Sequence, residues 1–148
     1  MPDLPPDHYV MGIDPGMAKC GVAVLSLQGK CMTRSIVPRH ELENVVPALA
    51  EQYPLKAVVI GDRTGSREIQ TLIRRLLKEQ VKLSNTVIHV ISEHYSSVEA
   101  RRRFLSDHRK GWRKLVPIGL QTPSRPFDDY TAEVLAQRYL ADLDGQRA

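Results

Sequence analysis

A chain of 148 residues, 42% hydrophobic and 26% charged, is long enough for one compact domain with a real core, and its composition excludes a fibrous or disordered protein. The net charge of +4 and the pI near 9.2 suit a polyanionic partner without demanding one. No apolar run reaches the ~20 residues that span a bilayer, and Cys20 and Cys31 lack metal-ligand spacing and read as reduced, buried thiols, so the expectation is a cytoplasmic protein with no membrane partner.

Residues 1–7 are a Pro-rich, acidic tail without the basic start and apolar run of a signal peptide. Residues 8–14 alternate Tyr9, Met11 and Ile13 against Val10, Gly12 and Asp14, the period of a strand. Pro15-Gly16 then turns the chain. Residues 21–27 and 30–37 read as two more strands joined at Gln28-Gly29, so the chain opens with an antiparallel meander of three strands. Residues 41–52 form a helix with Leu42, Val45, Val46 and Leu49 on one stripe. The run Ala57-Val58-Val59-Ile60, within residues 56–61, is too short and too apolar for anything but a central strand. Ser66 is the expected cap of an amphipathic helix with Ile69, Leu72, Ile73, Leu76 and Leu77 inward and Arg74, Arg75 and Lys78 outward. Residues 86–91 are a fifth strand. Ser96 and Glu99 have capping-box spacing for a short helix that carries Val98, Ala100 and Leu105. Residues 106–126 show no period, and a last helix spans residues 127–143.

Strands separated by helices need crossovers and therefore lie parallel. The expected fold is α/β: a mixed five-stranded sheet, built from the meander plus two crossover parallel strands, with helices on both faces. It fills one domain, residues 8–143, between tails at 1–7 and 144–148.

Three acids stand where this order can bring them together. Asp14 ends the first strand, Glu93 follows the fifth, and Asp128 opens the last helix. A carboxylate at the end of a buried strand is costly unless something neutralises it, and a divalent metal is the expected partner. Helix phase separates Asp128 from Asp129. Ala132, Leu135, Ala136 and Tyr139 continue the Asp128 face toward the sheet, whereas Asp129 leads to Glu133 and Gln137 on the expected wet face. A helix-capping role explains either aspartate. Converging carboxylates suit Mg²⁺ or Mn²⁺, and two such ions roughly 3.5–4 Å apart can activate a water and steady the leaving oxygen of a phosphodiester. A chain with 17 acids offers many triples, so the triad alone carries little weight.

Gly12-Ile13-Asp14-Pro15-Gly16 followed by Cys20-Gly21-Val22-Ala23-Val24 resembles the first-strand motif of the RuvC-like branch of the ribonuclease H superfamily. Ile91-Ser92-Glu93-His94-Tyr95-Ser96-Ser97-Val98-Glu99-Ala100 is similar to the second motif of the YqgF family in that branch, and Asp128-Asp129-Tyr130-Thr131-Ala132 to its third. The three occur in the right order across nearly the whole chain. The resemblance implies a ribonuclease H-like fold. It also implies a Holliday-junction-resolvase-like nuclease with a role in maturing the precursor of small-subunit ribosomal RNA. Asp14, Glu93 and Asp128 then take the catalytic, metal-binding positions for one or two Mg²⁺ or Mn²⁺ ions, with no nucleotide cofactor. RNA is the first expected substrate and a four-way DNA junction the second. Resolving a junction needs two active sites in a symmetric dimer; no dimer surface is evident, and a monomer is favoured over a homodimer. Two features depart from the family pattern. Gly61-Asp62-Arg63-Thr64-Gly65-Ser66 replaces a Gly-Leu-Pro-like segment, and the linker before the last helix is long and carries Trp112. Both bear on substrate choice more than on metal binding.

Candidate nucleic-acid contacts are Lys19 in the turn after Asp14, Arg63, and Arg102 within the run Arg101-Arg102-Arg103. Arg109, Lys110, Arg113 and Lys114 flank Trp112, a pattern that suits a single-stranded backbone with one base stacked on the indole. A solvated basic surface explains these residues equally simply. Two rival readings stay open: a catalytically inactive nucleic-acid-binding protein, which the altered 61–66 segment allows, and a small actin-like phosphotransferase. The latter group also begins with a Gly-Ile-Asp-Pro-Gly-like turn but normally duplicates the unit, and this chain has no internal repeat.

Overall fold

The computed structural model describes residues 8–63, 65–80, 83, 85–92, 100, 102, 105 and 128–147. Alternating apolar residues produce the opening meander: Tyr9–Asp14 (β1), Lys19–Ser26 (β2) and Cys31–Pro38 (β3), antiparallel throughout. A 3₁₀ turn, Arg39–Glu41, leads into Leu42–Gln52 (α1). Leu55–Gly61 (β4) returns parallel to β1; Ser66–Glu79 (α2) then crosses over to Val87–Ile91 (β5), parallel to β4. The last helix is Asp128–Arg147 (α3). The sheet order β3-β2-β1-β4-β5 is the mixed five-stranded architecture that the element order implies.

The strand alternation divides the apolar residues between two faces. Met11, Ile13, Val22, Val24, Val58 and Ile60 pack under α1 and α2, against Leu42, Val46, Ile69, Ile73 and Leu76. Val10, Ala23, Leu25, Ala57 and Val59 pack under α3, against Ala132, Leu135, Ala136 and Tyr139. Each large aliphatic side chain buried this way stabilises the fold by roughly 1.5–3 kcal/mol. β1 and β4 are covered on both faces, which is why their sequences are almost continuously apolar. A smaller cluster of Tyr130, Val134, Ala100 and Leu105 covers another side of α3, so this helix is buried well beyond a single stripe.

The boundaries differ from expectation at three places, the first being that α3 runs on to Arg147, so the expected helix end at residue 143 and separate tail at 144–148 are corrected. β2 begins at Lys19 rather than residue 21, because Lys19 and Cys20 go on pairing with Pro38 and Val37 of β3 after β1 has ended. Ser66 is not the cap of α2. Gly65, at φ +92°, occupies the N-cap position, and the buried Ser66 is the first helical residue, its Oγ accepting from Gln70 Nε2 at 3.0 Å. Both cysteines are free thiols as expected, although only Cys20 is fully buried. Of the short helix after β5, Ala100 and Leu105 are helical and buried, while its proposed capping box, Ser96 and Glu99, lies outside the described residues.

Candidate functional site

Register brings two of the three candidate carboxylates to one place. Cross-strand partners in an antiparallel pair project to the same face. Asp14, the last residue of β1, is paired with Gly21 of β2. A methyl group added at Gly21 would run into the backbone carbonyl of Asp128. One turn along the helix, a methyl at Gly12, on the same face as Asp14, would strike the carbonyl of Ala132 and come within 3.2 Å of Ala136 Cβ. Two glycines thus let α3 lie directly on β1 and β2, with its first residue over the strand end that carries Asp14. β1, β4 and β5 also finish level: Ile13 pairs with Ile60, and Gly61 with Ile91. The strand leading to Glu93 therefore ends at this same edge, while Glu93 itself lies outside the described residues.

Asp14 is only 2% exposed, and its Oδ1 is buried without a hydrogen bond to a described residue. Asp14 nonetheless has an interaction partner of its own. Burial pushes the Cys20 thiol above its ordinary range, Gly16 and Arg39 oppose that, and both Asp14 and Asp128 add to it, so one thiol senses both acids. Asp128 is half-buried, and burial raises its carboxyl above the usual carboxylate range. Arg63 pulls it back down, the neighbouring Asp129 raises it, and Lys19 lowers it. Two of the expected basic residues therefore lie within electrostatic reach of Asp128. Lys19 does so as the first residue of β2 rather than from the turn, and Arg63 from the loop between β4 and α2.

The donor set fits a hard divalent cation. A buried carboxylate at the strand end, with a half-buried one on the helix start above it, is expensive to keep charged unless a cation shares them. Oxygen ligands in this small number, completed by water or substrate phosphate, suit Mg²⁺ or Mn²⁺. Among the described residues no set of three or more His, Cys, Asp or Glu is placed to hold an ion. Two grooves include the basic residues that act on Asp128: one of about 480 Å³ past Asp62, Arg63 and Arg67, and one of about 550 Å³ past Lys19, Arg34 and Asp129. Arg102 is helical and exposed; His94, Arg109, Lys110, Trp112, Arg113 and Lys114 lie outside the described residues.

The wet face expected for Asp129 and Glu133 is corrected. Asp129 is 4% exposed and Glu133 9% exposed, because Arg34 of the edge strand β3 reaches over to them. Arg34 Nη1 donates to Glu133 Oε1 at 2.8 Å, Nε lies 3.5 Å from Asp129 Oδ2, and Nη2 donates to Tyr130 Oη at 2.9 Å. The guanidinium carbon also sits 3.9 Å from the centroid of the Tyr130 ring. No local pattern announces Arg34. The signal available in the sequence was indirect: two acids one turn apart, Asp129 and Glu133, on a helix whose neighbouring residues are apolar.

The sheet order and the two helical layers are those of a ribonuclease H-like fold. Residues 8–104 match the model of the Tex protein YqgF-like domain, and the chain belongs to that family. It is 33% identical over 97 residues to Protein tex of Bordetella pertussis, covering 60% of this chain and 12% of that protein. It is likewise 33% identical over 125 residues to the uncharacterized protein NMA0194 of Neisseria meningitidis serogroup A, covering 76% of this chain and 16% of that one. The chain thus spans less than a fifth of the length of these relatives. In structure it resembles Thermus thermophilus RuvC in complex with a Holliday junction substrate, at a TM-score of 0.57 and 13% identity over 93% of this chain and 96% of that one. Fowlpox virus resolvase in complex with Holliday junction DNA is equally similar, at a TM-score of 0.57 and 13% identity over 91% and 98% of the two chains. At these identities the likeness is one of fold. No helix among the described residues is long and apolar enough to cross a membrane.

Proposed function

We propose that this domain is a metal-dependent nuclease that hydrolyses phosphodiester bonds, with Asp14 and Asp128, joined by Glu93, holding Mg²⁺ or Mn²⁺. The observation that carries this reading is the meeting of Asp14 and the start of α3 across Gly21. When bound, the metal would supply an activated water and take up charge on the leaving oxygen. The chain's own part is to hold the ligands still and to orient the substrate. Asp14 is fixed by its strand and shielded from water, so its carboxylate needs little reorganisation to serve as a ligand. Asp128 is held by the helix that Gly12 and Gly21 admit. Lys19 and Arg63, which flank Asp128, are suited to hold the scissile phosphate by charge-assisted hydrogen bonds.

RNA is the first substrate on this reading, because of the resemblance to the YqgF family. Branched DNA is the second, because both similar structures described above are complexes with Holliday junctions. The test offers labelled single-stranded RNA, duplex DNA and a four-way junction to the protein in Mg²⁺, Mn²⁺ and EDTA. The wild type is expected to cleave at least one of them in metal and none in EDTA. Asp14→Asn, with the fold intact by circular dichroism, is expected to lose more than about 100-fold in rate. Unchanged cleavage by Asp14→Asn would reject the mechanism. Tight binding without product in either metal would instead mark a nucleic-acid-binding domain.

A further inference from the structure

We propose that Arg34 is a positioning residue for the carboxylate site: by gripping Asp129, Tyr130 and Glu133 it fixes the first turns of α3, and hence Asp128, against Asp14. The inference rests on the reading of Asp14 and Asp128 as metal ligands and extends it to a residue that touches neither.

Three observations carry it. The first is placement. Arg34 is paired with Ala23, whose side chain lies in the core beneath α3, so Arg34 projects to the α3 face of the sheet. It contacts consecutive turns of α3 immediately after Asp128, bridging 99 residues of sequence to Glu133. The second is the complementarity of the two neighbouring strands. β2 makes room for the helix start by having glycine at position 21, and β3 supplies the hold. The third is the chemistry of the grip. A planar guanidinium serves two carboxylates and a phenol oxygen while stacking on the Tyr130 ring. The carboxylates are almost out of water, at 5% and 12% side-chain exposure. Removing the arginine takes the shared cation from two nearly buried acids one turn apart, leaving Glu133 its bond from Gln137 Nε2 at 3.3 Å, and the cost falls on the first turns of α3. A shift of about 1 Å in a ligand is enough to degrade a preorganised site.

The test is Mn²⁺ binding, read by the electron paramagnetic resonance signal of free Mn²⁺, with thermal unfolding measured on the same samples. Arg34→Met is expected to remain folded and to bind Mn²⁺ about tenfold more weakly than the wild type. Arg34→Lys keeps the charge but not the fork, and is expected to recover only part of that affinity. A folded Arg34→Met with wild-type Mn²⁺ affinity and a lowered melting temperature would show a purely structural residue and overturn the proposal. Should Arg34→Met not fold, Arg34→Lys carries the test by the same criterion: affinity equal to the wild type overturns it. A wild type that binds no Mn²⁺ sinks the carboxylate reading and this inference with it. A wild type that binds, with variants that bind equally well, sinks this inference alone.

Discussion

The two faces of the sheet are built to different rules. Beneath α1 and α2 the sheet presents Met11, Ile13, Val22, Val24, Val58 and Ile60, and the helices answer with leucine, isoleucine and valine. Beneath α3 it presents Val10, Ala23, Leu25, Ala57 and Val59, together with Gly12 and Gly21 and, at the strand end, Asp14. The first face gains stability from large side chains that keep helix and sheet apart. The second gives up part of that burial to bring the helix backbone onto the strands. That close approach is what brings the start of α3, with Asp128, over the strand end that carries Asp14. On this second face Arg34, Asp129 and Glu133 form a nearly buried charged network beside the site. One face holds the domain together, and the other uses that rigidity to hold charges in place.

The contrast can be broken in three ways, in descending size of effect. Ile60→Ala empties a fully buried position under α2 and is expected to cost about 3–4 kcal/mol in urea denaturation. Its Mn²⁺ affinity, measured well below the melting temperature, should match the wild type; a large fall would show that the faces are not separable. Gly21→Ala should cost less, about 2 kcal/mol, since it inserts one methyl rather than removing several groups. It should nonetheless weaken Mn²⁺ binding more than Ile60→Ala does, because the methyl displaces the Asp128 backbone. Equal or stronger binding by Gly21→Ala would contradict the placement of Asp128 in the site. Arg75→Ala, which removes a half-exposed pair with Glu43 at 3.0 Å on the outer surface of the first face, should change stability by no more than about 0.5 kcal/mol and leave metal binding alone. A larger loss would mean that the surface of that face also contributes to the hold on the core.

Much of this architecture is legible in the chain itself, for a physical reason. Strand alternation and helical stripes are local periodicities, and they report which side of an element is buried without knowledge of what buries it. Residues 8–14 therefore announce β1 with Asp14 at its end, and the Ala132–Leu135–Ala136–Tyr139 stripe selects Asp128 as the aspartate in phase with the sheet-facing side of α3. The same reasoning failed at Asp129 and Glu133. A helix has only one side toward the sheet, but α3 is also covered by Tyr130's cluster and by Arg34, and neither is visible from periodicity. It failed at Ser66 because a serine before an apolar stripe looks like a cap, whereas the chain enters α2 through Gly65.

Among the described residues, the sequence by itself determined the five strands and the long helices, their order, and the placing of Asp14 at a strand end and Asp128 at a helix start, since each of these follows from spacing along the chain. Only the tertiary structure decided that Gly21 would stand between Asp14 and Asp128, and that Arg34 would close on a helix 99 residues away from it. Those contacts depend on strand register and on how closely backbones approach, and both are settled jointly by the packed elements rather than by any one of them.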